Sequence, residues 1–375
     1  MQTMHPTLLI GPGDWDARQI PRSEYDERLA ALWRDHESAG GAIVYGDSRD
    51  HAALFYLTHF TPKLEGAIAL IPRRGEAQML IGGGPNMLPA ARPLTFISAL
   101  APLRDAAKTA ADWARDLNGE TSLVLLGGNA MPNRLRRALD LALGAGARIE
   151  GGDTALRARM RRKSPREMQI LRASCATLDA AVAALRDAAR SNKSITDCIL
   201  AAEHAALERD AQDVRSLFSL DGGRTLRPFD VPIAARIDPL QAYVAVRHGG
   251  YWAEAFVRIA AQHDELQAKA GSVVRAMAAE AKPGTSAQRL REIIEEGRGG
   301  LRVHQLADRT CGSSIGLSLD EALLLTAADV ALEQGGTYSL RAGFIDAAGA
   351  GAIASAMVHV TGNDPQLLWP TNEIT

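Results

Sequence analysis

The sequence predicts an α/β domain followed by an α+β domain, and three observations lead to this fold class. Over residues 23–155, apolar segments of strand length alternate with amphipathic segments of helical length, an order typical of α/β domains. Over residues 156–375, two helical segments come first and strands follow, which is typical of an α+β domain. A chain of 375 residues is also long enough for two domains. Residues 1–22, rich in Pro, Gly and Asp, are expected to form an N-terminal arm, either unattached or packed on a partner subunit.

The expected first domain starts with a helix over about residues 23–38, in which Leu29, Leu32 and Trp33 recur at helical spacing. Gly40 ends it, and an apolar strand follows at once. The predicted elements after the helix are strands at 42–46, 65–72 and 77–81, a helix near 104–117, a strand at 122–126 and a helix near 133–143.

The expected second domain opens with a strong helix-start signal. Ser164 is a suitable N-cap, Pro165 suits the first helical position, and Glu167 completes a capping box. This helix is predicted to run to about Ala189. The later predicted elements are a helix from Ser194 to about 209, a strand at 214–220, a hairpin of 238–246 and 251–259 around His248-Gly249-Gly250, and helices near 263–281 and 285–297.

Composition excludes several classes of function. The formal net charge of -2 does not indicate a nucleic-acid or membrane-surface partner. The three cysteines, Cys175, Cys198 and Cys311, are widely spaced, form no zinc pattern and fit a reducing cytoplasm. The N-terminal residues do not have the pattern of a signal peptide, and no apolar stretch is expected to span a bilayer.

The stretch Gly312–Glu321 resembles a motif of the pita-bread superfamily, which includes creatinase and the Xaa-Pro peptidases. The family pattern is Gly-His-Gly-Ile-Gly-Leu, two further residues, then His-Glu. Here Gly312 and Gly316 are present, but Ser313 and Asp320 stand at the two His positions. Two other segments are also similar to the family: Lys163–Glu167 resembles its Lys-x-Pro-x-Glu, and Tyr56-Leu57-Thr58 resembles part of its N-terminal domain.

This resemblance covers about residues 23–370 and implies a creatinase/prolidase-type N-terminal domain followed by a pita-bread domain. Members of this branch are commonly homodimers in which one chain's N-terminal domain covers the other's cleft. It therefore implies a homodimer, with His59, which stands where the family usually has Gly, or Arg49 as possible lid residues.

The resemblance also identifies the positions of the family's metal ligands. Those enzymes hold two metal ions with two Asp, one His and two Glu. The corresponding residues here are Tyr243, Glu254, Ser313, Arg341 and Ser355. Only Glu254 can ligate a hard divalent cation, and a guanidinium has no free lone pair to offer one. No metal or other cofactor is therefore expected.

Charged residues at these positions suggest other roles. Arg341 is expected to pair with Glu254, to bind a carboxylate on a ligand, or both; the alternative is a plain buried salt bridge. Asp320 and Glu321 are adjacent carboxylates, of which one can have a raised pKa suited to a general acid. The alternative is a pair that points to opposite faces of a strand.

Other side chains are weaker candidates. Ser313 either donates a hydrogen bond to a ligand or fills its turn, and Tyr243 is a candidate substrate contact. His359 lies near the last vacated ligand position and is a candidate catalytic residue. Arg224 and Arg227 suggest an anion-binding wall, or are two exposed loop arginines. Cys311 is either a thiol nucleophile, with His304 as the nearest base in sequence, or a small buried residue.

Three functions remain open at this point. The first is a metal-independent hydrolase or lyase for a small, carboxylate-bearing nitrogenous substrate, in which Arg341 fixes the anion and Glu254 and Glu321 handle protons. Creatinase works without metal, but its catalytic His is missing between His204 and His248, so creatine hydrolysis itself is not indicated. The second is an inactive pseudo-peptidase that serves as a binding or scaffold protein, which a cleft plugged by Tyr243 and Phe229 would favour. The third is an Xaa-Pro peptidase.

Overall fold

The computed structural model describes residues 13–62, 65–117, 122–144, 146–228, 232–325, 330–362 and 364–370. Most of the expected N-terminal arm and Phe229 lie outside the described residues. The chain divides into two compact units, Met1–Met160 and Arg161–Thr375. This division falls near the end of the helix Asp153–Arg161, a few residues after the boundary expected from the sequence.

The first unit is built on a mixed six-stranded sheet. Its strand order is β4-β3-β2-β1-β5-β6, in which β1 pairs antiparallel with β2 and parallel with β5. The apolar residues that predict the strands, among them Ile43 and Leu70, form the core with the helices. The strands are β1 (Gly41–Gly46), β2 (Ala67–Pro72), β3 (Gln78–Ile81), β4 (Ala99–Pro102), β5 (Ser122–Leu126) and β6 (Arg148–Gly151).

The segment around Tyr56, for which the sequence predicts no element, forms a short helix that ends at His59. His59 has φ 63, in the left-handed region that Gly adopts at least cost. This explains why Gly is usual at this position in the similar family. The α-helices of the unit are α1 (Arg22–Asp35), α2 (Ala52–Thr58), α3 (Leu88–Ala91), α4 (Ala106–Arg115), α5 (Asn133–Leu143) and α6 (Asp153–Arg161).

The second unit begins with the predicted capped helix. The Ser164 hydroxyl accepts a hydrogen bond from the Glu167 backbone N–H, and the Glu167 carboxylate accepts one from the Ser164 backbone N–H. The Ser194 hydroxyl caps the next helix by accepting a hydrogen bond from the Asp197 N–H. The helices are α7 (Pro165–Arg190), α8 (Ile195–Leu207), α9 (Glu265–Ala279), α10 (Ala287–Gly297) and α11 (Gln305–Asp308).

Among the described helices, α7 alone has the length and hydropathy of a membrane span. Its most apolar window is 56% buried inside the protein. The buried side chains include Leu171, Leu178, Val182 and Leu185. The helix α7 packs on strands of the second unit, so its apolar side chains are those of a core helix.

The second unit contains two sheets. One has the strand order β10-β9-β7-β8, and the other has β13-β12-β14-β15-β16 with β11 paired to β14. Gly249 and Gly250 connect β9 to β10 with φ 56 and 87, as a tight two-residue hairpin requires. The strands are β7 (Asp213–Phe218), β8 (Arg227–Pro228), β9 (Leu240–His248), β10 (Tyr251–Ile259), β11 (Arg302–Val303), β12 (Thr310–Ser314), β13 (Ala322–Leu325), β14 (Thr337–Ile345), β15 (Gly351–His359) and β16 (Gln366–Trp369).

The two sheets meet along β10 and β15, and side chains make the contacts of this seam. The Phe256 backbone N–H donates to the Ser355 hydroxyl at 2.8 Å, and the Glu254 N–H faces Met357 Sδ at 3.4 Å. The buried amide of Gln241 donates to the Ile353 carbonyl and accepts from the Ile353 N–H. The seam places residues of both sheets next to one another.

Candidate functional site

One face of each sheet packs on helices, and the opposite face, which we call the inner face, carries the candidate residues. Leu340 and Ala356 belong to the core formed with α9 and α10, so Ser339 and Arg341 on either side of Leu340 face inward. Tyr251 donates to Glu167 of α7, so Glu254, three residues later, faces the other way.

The centre of the inner face is a hydrogen-bonded pair from neighbouring strands. The Tyr243 hydroxyl donates to Glu254 Oε2 at 2.6 Å. Glu254 is 4% exposed and Tyr243 is 9% exposed. Burial raises the pKa of both groups, and the neighbouring carboxylate raises the pKa of Tyr243 further. Raised pKa values hold more of the Glu254 carboxyl in its protonated form.

Two further buried polar atoms lie at this pair, Glu254 Oε1 and the Ser339 hydroxyl oxygen. A hydrogen bond from the Ser339 side chain lowers the pKa of Glu254. The Ser339 hydroxyl and the Glu254 carboxyl are therefore partners of each other, as buried polar groups usually require.

Arg341 does not form the ion pair with Glu254 that the sequence suggested. Its Nε donates to the Leu306 carbonyl at 2.9 Å, and its guanidinium carbon lies 5.9 Å from the centre of the Phe256 ring. Its charge nevertheless lowers the pKa of both Glu254 and Tyr243. The half-buried guanidinium therefore acts on the pair through space and keeps donors available for an anion.

Both carboxylate oxygens of Glu321 make contacts within the fold. Its two carboxylate oxygens lie 2.9 and 2.7 Å from Lys163 Nζ. They also accept hydrogen bonds from the Ser314 hydroxyl and the Leu317 N–H. Asp320 beside it is exposed, so the two neighbours face different surroundings. The charge of Asp320 raises the pKa of Glu254, which places Asp320 within electrostatic reach of the site.

The partner of Glu321 explains the glycine that follows Ile315. A Cβ atom on Gly316 would lie 2.3 Å from Lys163 Nζ and 2.5 Å from Glu321 Oε1. Only glycine leaves room for this buried ion pair. Sequence reasoning found Lys163 as part of a helix-start motif but not as a partner for Glu321, because nothing local links residues 158 positions apart.

The serines at the former ligand positions are also buried and engaged. The Ser313 hydroxyl donates to the Leu319 carbonyl at 3.0 Å, and its backbone pairs with Ser339 across β12 and β14. Ser355 lies opposite Arg341 on β15 and accepts from the Phe256 N–H. Ser313 thus closes its own turn, and Ser355 belongs to the seam.

Three other candidates lie apart from the Tyr243–Glu254 pair. His359, at the end of β15, is near Gln366 and Arg172, and burial lowers its pKa. Arg224 is exposed and donates to the Asp221 carbonyl of its own turn. Arg227 is exposed on β8. The two arginines therefore match the alternative of exposed loop residues better than an anion-binding wall.

Cys311 is not positioned as a nucleophile. Burial raises the pKa of its thiol to about 11, and the thiol contacts the Ala287 and Leu324 carbonyls. His304 accepts from the Leu306 N–H through Nδ1 and meets the Gly223 carbonyl through Nε2, and burial lowers its pKa. Cys311 is the small buried residue of the alternative interpretation.

The possible lid residues are placed within the first unit. The His59 ring contacts Tyr25 and Phe55, its Nδ1 lies 3.2 Å from the Leu94 carbonyl, and burial lowers its pKa to about 4. Arg49 is exposed, 3.6 Å from Asp47. These contacts give His59 a structural role inside its own unit.

The inner face also carries residues that the sequence reasoning missed. Ser339 precedes Arg341 by two positions, and Trp252 precedes Glu254 by two, so the period-two rule places each pair on one face. The Arg215 guanidinium carbon lies 4.6 Å from the Trp252 ring centre, and its charge lowers the pKa of Tyr243. Side chains alternate between the two faces of a strand, so counting by twos from residues already expected to face inward could have found them.

The donors of the inner face do not fit the two metal ions of the similar family. Of the five corresponding residues only Glu254 offers a carboxylate, and Arg341 brings a positive charge to the same face. Ser313 and Ser355 already make hydrogen bonds within the chain. Within the described ranges, no group of three or more His, Cys, Asp or Glu side chains is arranged to hold a metal ion.

Comparison with solved structures identifies the fold. An Xaa-Pro dipeptidase from Bacillus anthracis is 15% identical with a TM-score of 0.72, over 93% of this chain and 98% of that one. The prolidase from Pyrococcus horikoshii OT3 is 17% identical with a TM-score of 0.72, over 93% and 99%. The N-terminal domain of the FACT complex subunit SPT16 from Cicer arietinum is 16% identical with a TM-score of 0.68, over 94% and 97%.

The predicted fold class is confirmed by these likenesses. The chain has an N-terminal domain of the creatinase and prolidase type followed by a pita-bread domain. No protein-family model matches the sequence. No curated protein matches it either. At such low identity the structural neighbours establish the fold and leave the chemistry to the residues of the inner face.

Proposed function

We propose that the inner face of the second unit binds a small, carboxylate-bearing nitrogenous molecule and hydrolyses it, or eliminates a group from it, without a metal ion. The observation that carries this proposal is the buried Glu254 carboxyl, which the Tyr243 and Ser339 hydroxyls contact and which lies within electrostatic reach of Arg341. A buried acid with a raised pKa, a neighbouring hydroxyl and a nearby guanidinium are groups that such a reaction uses.

Each residue has a role that follows from its surroundings. Arg341 binds the substrate carboxylate, because its guanidinium retains donors and a fork geometry that matches two oxygens. Glu254, whose pKa is raised by burial, donates a proton to the leaving nitrogen. The resulting carboxylate then takes a proton from the attacking water in hydrolysis, or from the neighbouring carbon in elimination. Tyr243 holds the Glu254 carboxyl in place, and the Ser339 hydroxyl orients the substrate.

A metal-dependent Xaa-Pro peptidase is the weakest alternative, although an Xaa-Pro dipeptidase is among the structural neighbours. Two divalent cations would need carboxylate or imidazole ligands on both sheets. The second sheet supplies Ser313, Arg341 and Ser355 at these positions. Hydroxyl groups and a guanidinium at the positions of the metal ligands favour acid–base catalysis without a metal ion.

A second candidate function is a binding or scaffold protein without catalysis. The low exposure of Glu254 and Tyr243 favours it, because a substrate must reach a catalytic acid directly. One structural neighbour is the domain of a protein-complex subunit. The two candidates differ in a measurable way, since only the enzyme converts the ligand that it binds.

A metabolite screen by thermal shift tests the proposal, because a ligand that binds only the folded state raises the melting temperature. The screen uses small nitrogenous carboxylates, with wild type, Glu254→Gln, Arg341→Ala and the exposed control Arg224→Ala. A hit should lose its shift in Arg341→Ala and keep it in the control. Mass spectrometry should show product with wild type and none with Glu254→Gln.

Three results would oppose the proposal. Two tightly bound metal ions per chain, measured by elemental analysis of the purified protein, would overturn the metal-independent site. Binding without turnover would support the scaffold function instead. Unchanged turnover in both Glu254→Gln and Arg341→Ala would remove these residues from the site.

We also propose that the protein acts in the cytoplasm as a homodimer, on a small-molecule partner. The support is the family resemblance for the dimer and the cysteine usage for the compartment. Light scattering coupled to gel filtration measures the oligomeric state, and a monomer at micromolar concentration would contradict the dimer.

A further inference from the structure

A cationic groove lies on the second unit, at the C-terminal end of α7, and we call it the arginine groove. It consists of a cavity of about 600 Å³ and an adjoining one of about 350 Å³, which share Arg190 and the segment Ile259–Ala261. The last turn of α7 and the first turns of α9 form its walls. No residue of the inner-face site lines it.

The lining of the groove is strongly unbalanced in charge. Its cationic side chains are Arg186, Arg190, Lys193, Arg236, Arg258 and Arg275. Against these stand two carboxylates, Asp238 and Asp264. Both are engaged: Asp264 pairs with Arg258 at 2.7 Å, and Asp238 accepts from the Ala261 N–H at 2.9 Å. The lining of the groove therefore carries a net positive charge.

Three of the arginines form no close ion pair within the described residues. Among the described residues, Arg186, Arg190 and Arg275 form no ion pair, in contrast to Arg258. Arg186 and Arg190 are four positions apart on α7, so they lie on the same side of the helix, where like charges destabilise it. Arg186 is also half-buried, and burial and the charge of Arg190 lower its pKa more than the charge of Asp179 raises it.

The helix dipole does not account for this arrangement. Cations near the C-terminus of α7 are favourable, which explains Arg190. Arg275 lies on α9, and Arg186 stands a full turn before the helix end. A bound anion would offset the repulsion between Arg186 and Arg190, and Arg275 lines the same cavity.

The groove is also shaped for a ligand. Its lining includes the small residues Ala189, Ala260, Ala268 and Gly271, which leave space between the arginines. A volume of this size is typical of small-molecule sites. Guanidinium groups bind phosphate and carboxylate oxygens in pairs. We propose that the arginine groove binds a small molecule that carries two or more anionic phosphate or carboxylate groups.

Isothermal titration calorimetry on the full chain at low ionic strength tests this site. The probes are pyrophosphate, citrate and inorganic phosphate, because a site for several anionic groups should prefer the first two. Arg186→Gln and Arg190→Gln should each weaken binding by about tenfold or more. The matched control is Arg137→Gln, which removes an exposed arginine from the first unit and should leave binding unchanged.

A second measurement separates a binding role from a structural one. Without ligand, Arg186→Gln should melt at the same temperature as wild type or higher, because it removes a repulsion; with pyrophosphate, wild type should gain more stability. Pyrophosphate binding without citrate binding identifies a phosphate ligand, and the reverse identifies a polycarboxylate. Equal affinity of all variants, equal affinity for inorganic phosphate, or no binding would overturn the proposal.

Discussion

Replacement of Lys163 by methionine should destabilise the second unit strongly, because it breaks a buried ion pair and leaves one charge behind. The Lys163 side chain is 0% exposed and that of Glu321 is 4% exposed. Lys163 Nζ contacts both oxygens of the carboxylate, at 2.9 and 2.7 Å. Methionine has a similar length and fills the same channel, so the change removes the charge with little change in packing.

The size of the effect follows from the burial of the pair. Removal of one partner of a buried ion pair lowers the free energy of unfolding by about 3–5 kcal/mol, since the remaining carboxylate must be buried without a partner or protonated. For a domain of this size, this corresponds to a decrease in melting temperature of roughly 6–20 °C. The double variant Lys163→Met with Glu321→Gln should recover part of the loss, because it leaves no buried charge.

Urea unfolding followed by circular dichroism and tryptophan fluorescence measures these free energies. The control is Arg161→Met, which breaks a partly exposed pair with Glu333 in the same segment of chain. That pair should contribute less than about 1 kcal/mol. If Lys163→Met cost no more than this control, or if the double variant were worse than the single one, the assignment of a buried structural ion pair would be refuted.

Three other substitutions test further parts of the structure. Gly316→Ala should lower the free energy of unfolding by about 1–3 kcal/mol in the same urea titration, because its methyl group would lie 2.3 Å from Lys163 Nζ. The control is Gly146→Ala, whose methyl group would meet no atom within 4 Å, and its stability should be close to that of wild type. Burial lowers the pKa of His59 to about 4. As the pH falls below about 6.5, His59 is therefore protonated in the unfolded chain before it is protonated in the folded one. The free energy of unfolding of the first unit should decrease by up to about 3 kcal/mol by pH 4, and this decrease should be absent in His59→Asn. Tyr243→Phe removes a hydrogen bond that lowers the pKa of Glu254, so the infrared band of the protonated carboxyl should persist to higher pH than in wild type and should be absent in Glu254→Gln.

Local signals in the sequence were reliable because local contacts determine them. The capping box of Ser164 and Glu167 forms as predicted, since both partners lie within one helical turn. The Gly249-Gly250 turn forms because few other residues adopt two successive positive φ angles. The Tyr56 segment was missed as a helix because seven residues are too few for a clear period.

Pairings between distant residues were harder to predict. The family resemblance correctly brought Glu254, Arg341 and Tyr243 to one region, since the strand positions fix their faces. It did not reveal that the Leu306 carbonyl holds Arg341, or that Glu321 is neutralised by Lys163. Charge and position alone suggested a pairing of Arg341 with Glu254, but the choice among possible partners depends on side-chain direction in the folded chain.

The seam between the two sheets has a consequence for how this site can change. The acid and its tyrosine, Glu254 and Tyr243, belong to one sheet, while Ser339 and Arg341 belong to the other. Side chains such as Ser355 join the sheets at this line, rather than a continuous backbone ladder. Substitution of seam residues alone can therefore change the distance between the Glu254 carboxyl and the Arg341 guanidinium while both side chains are kept. If the proposed function holds, such changes would fit the site to ligands of different length.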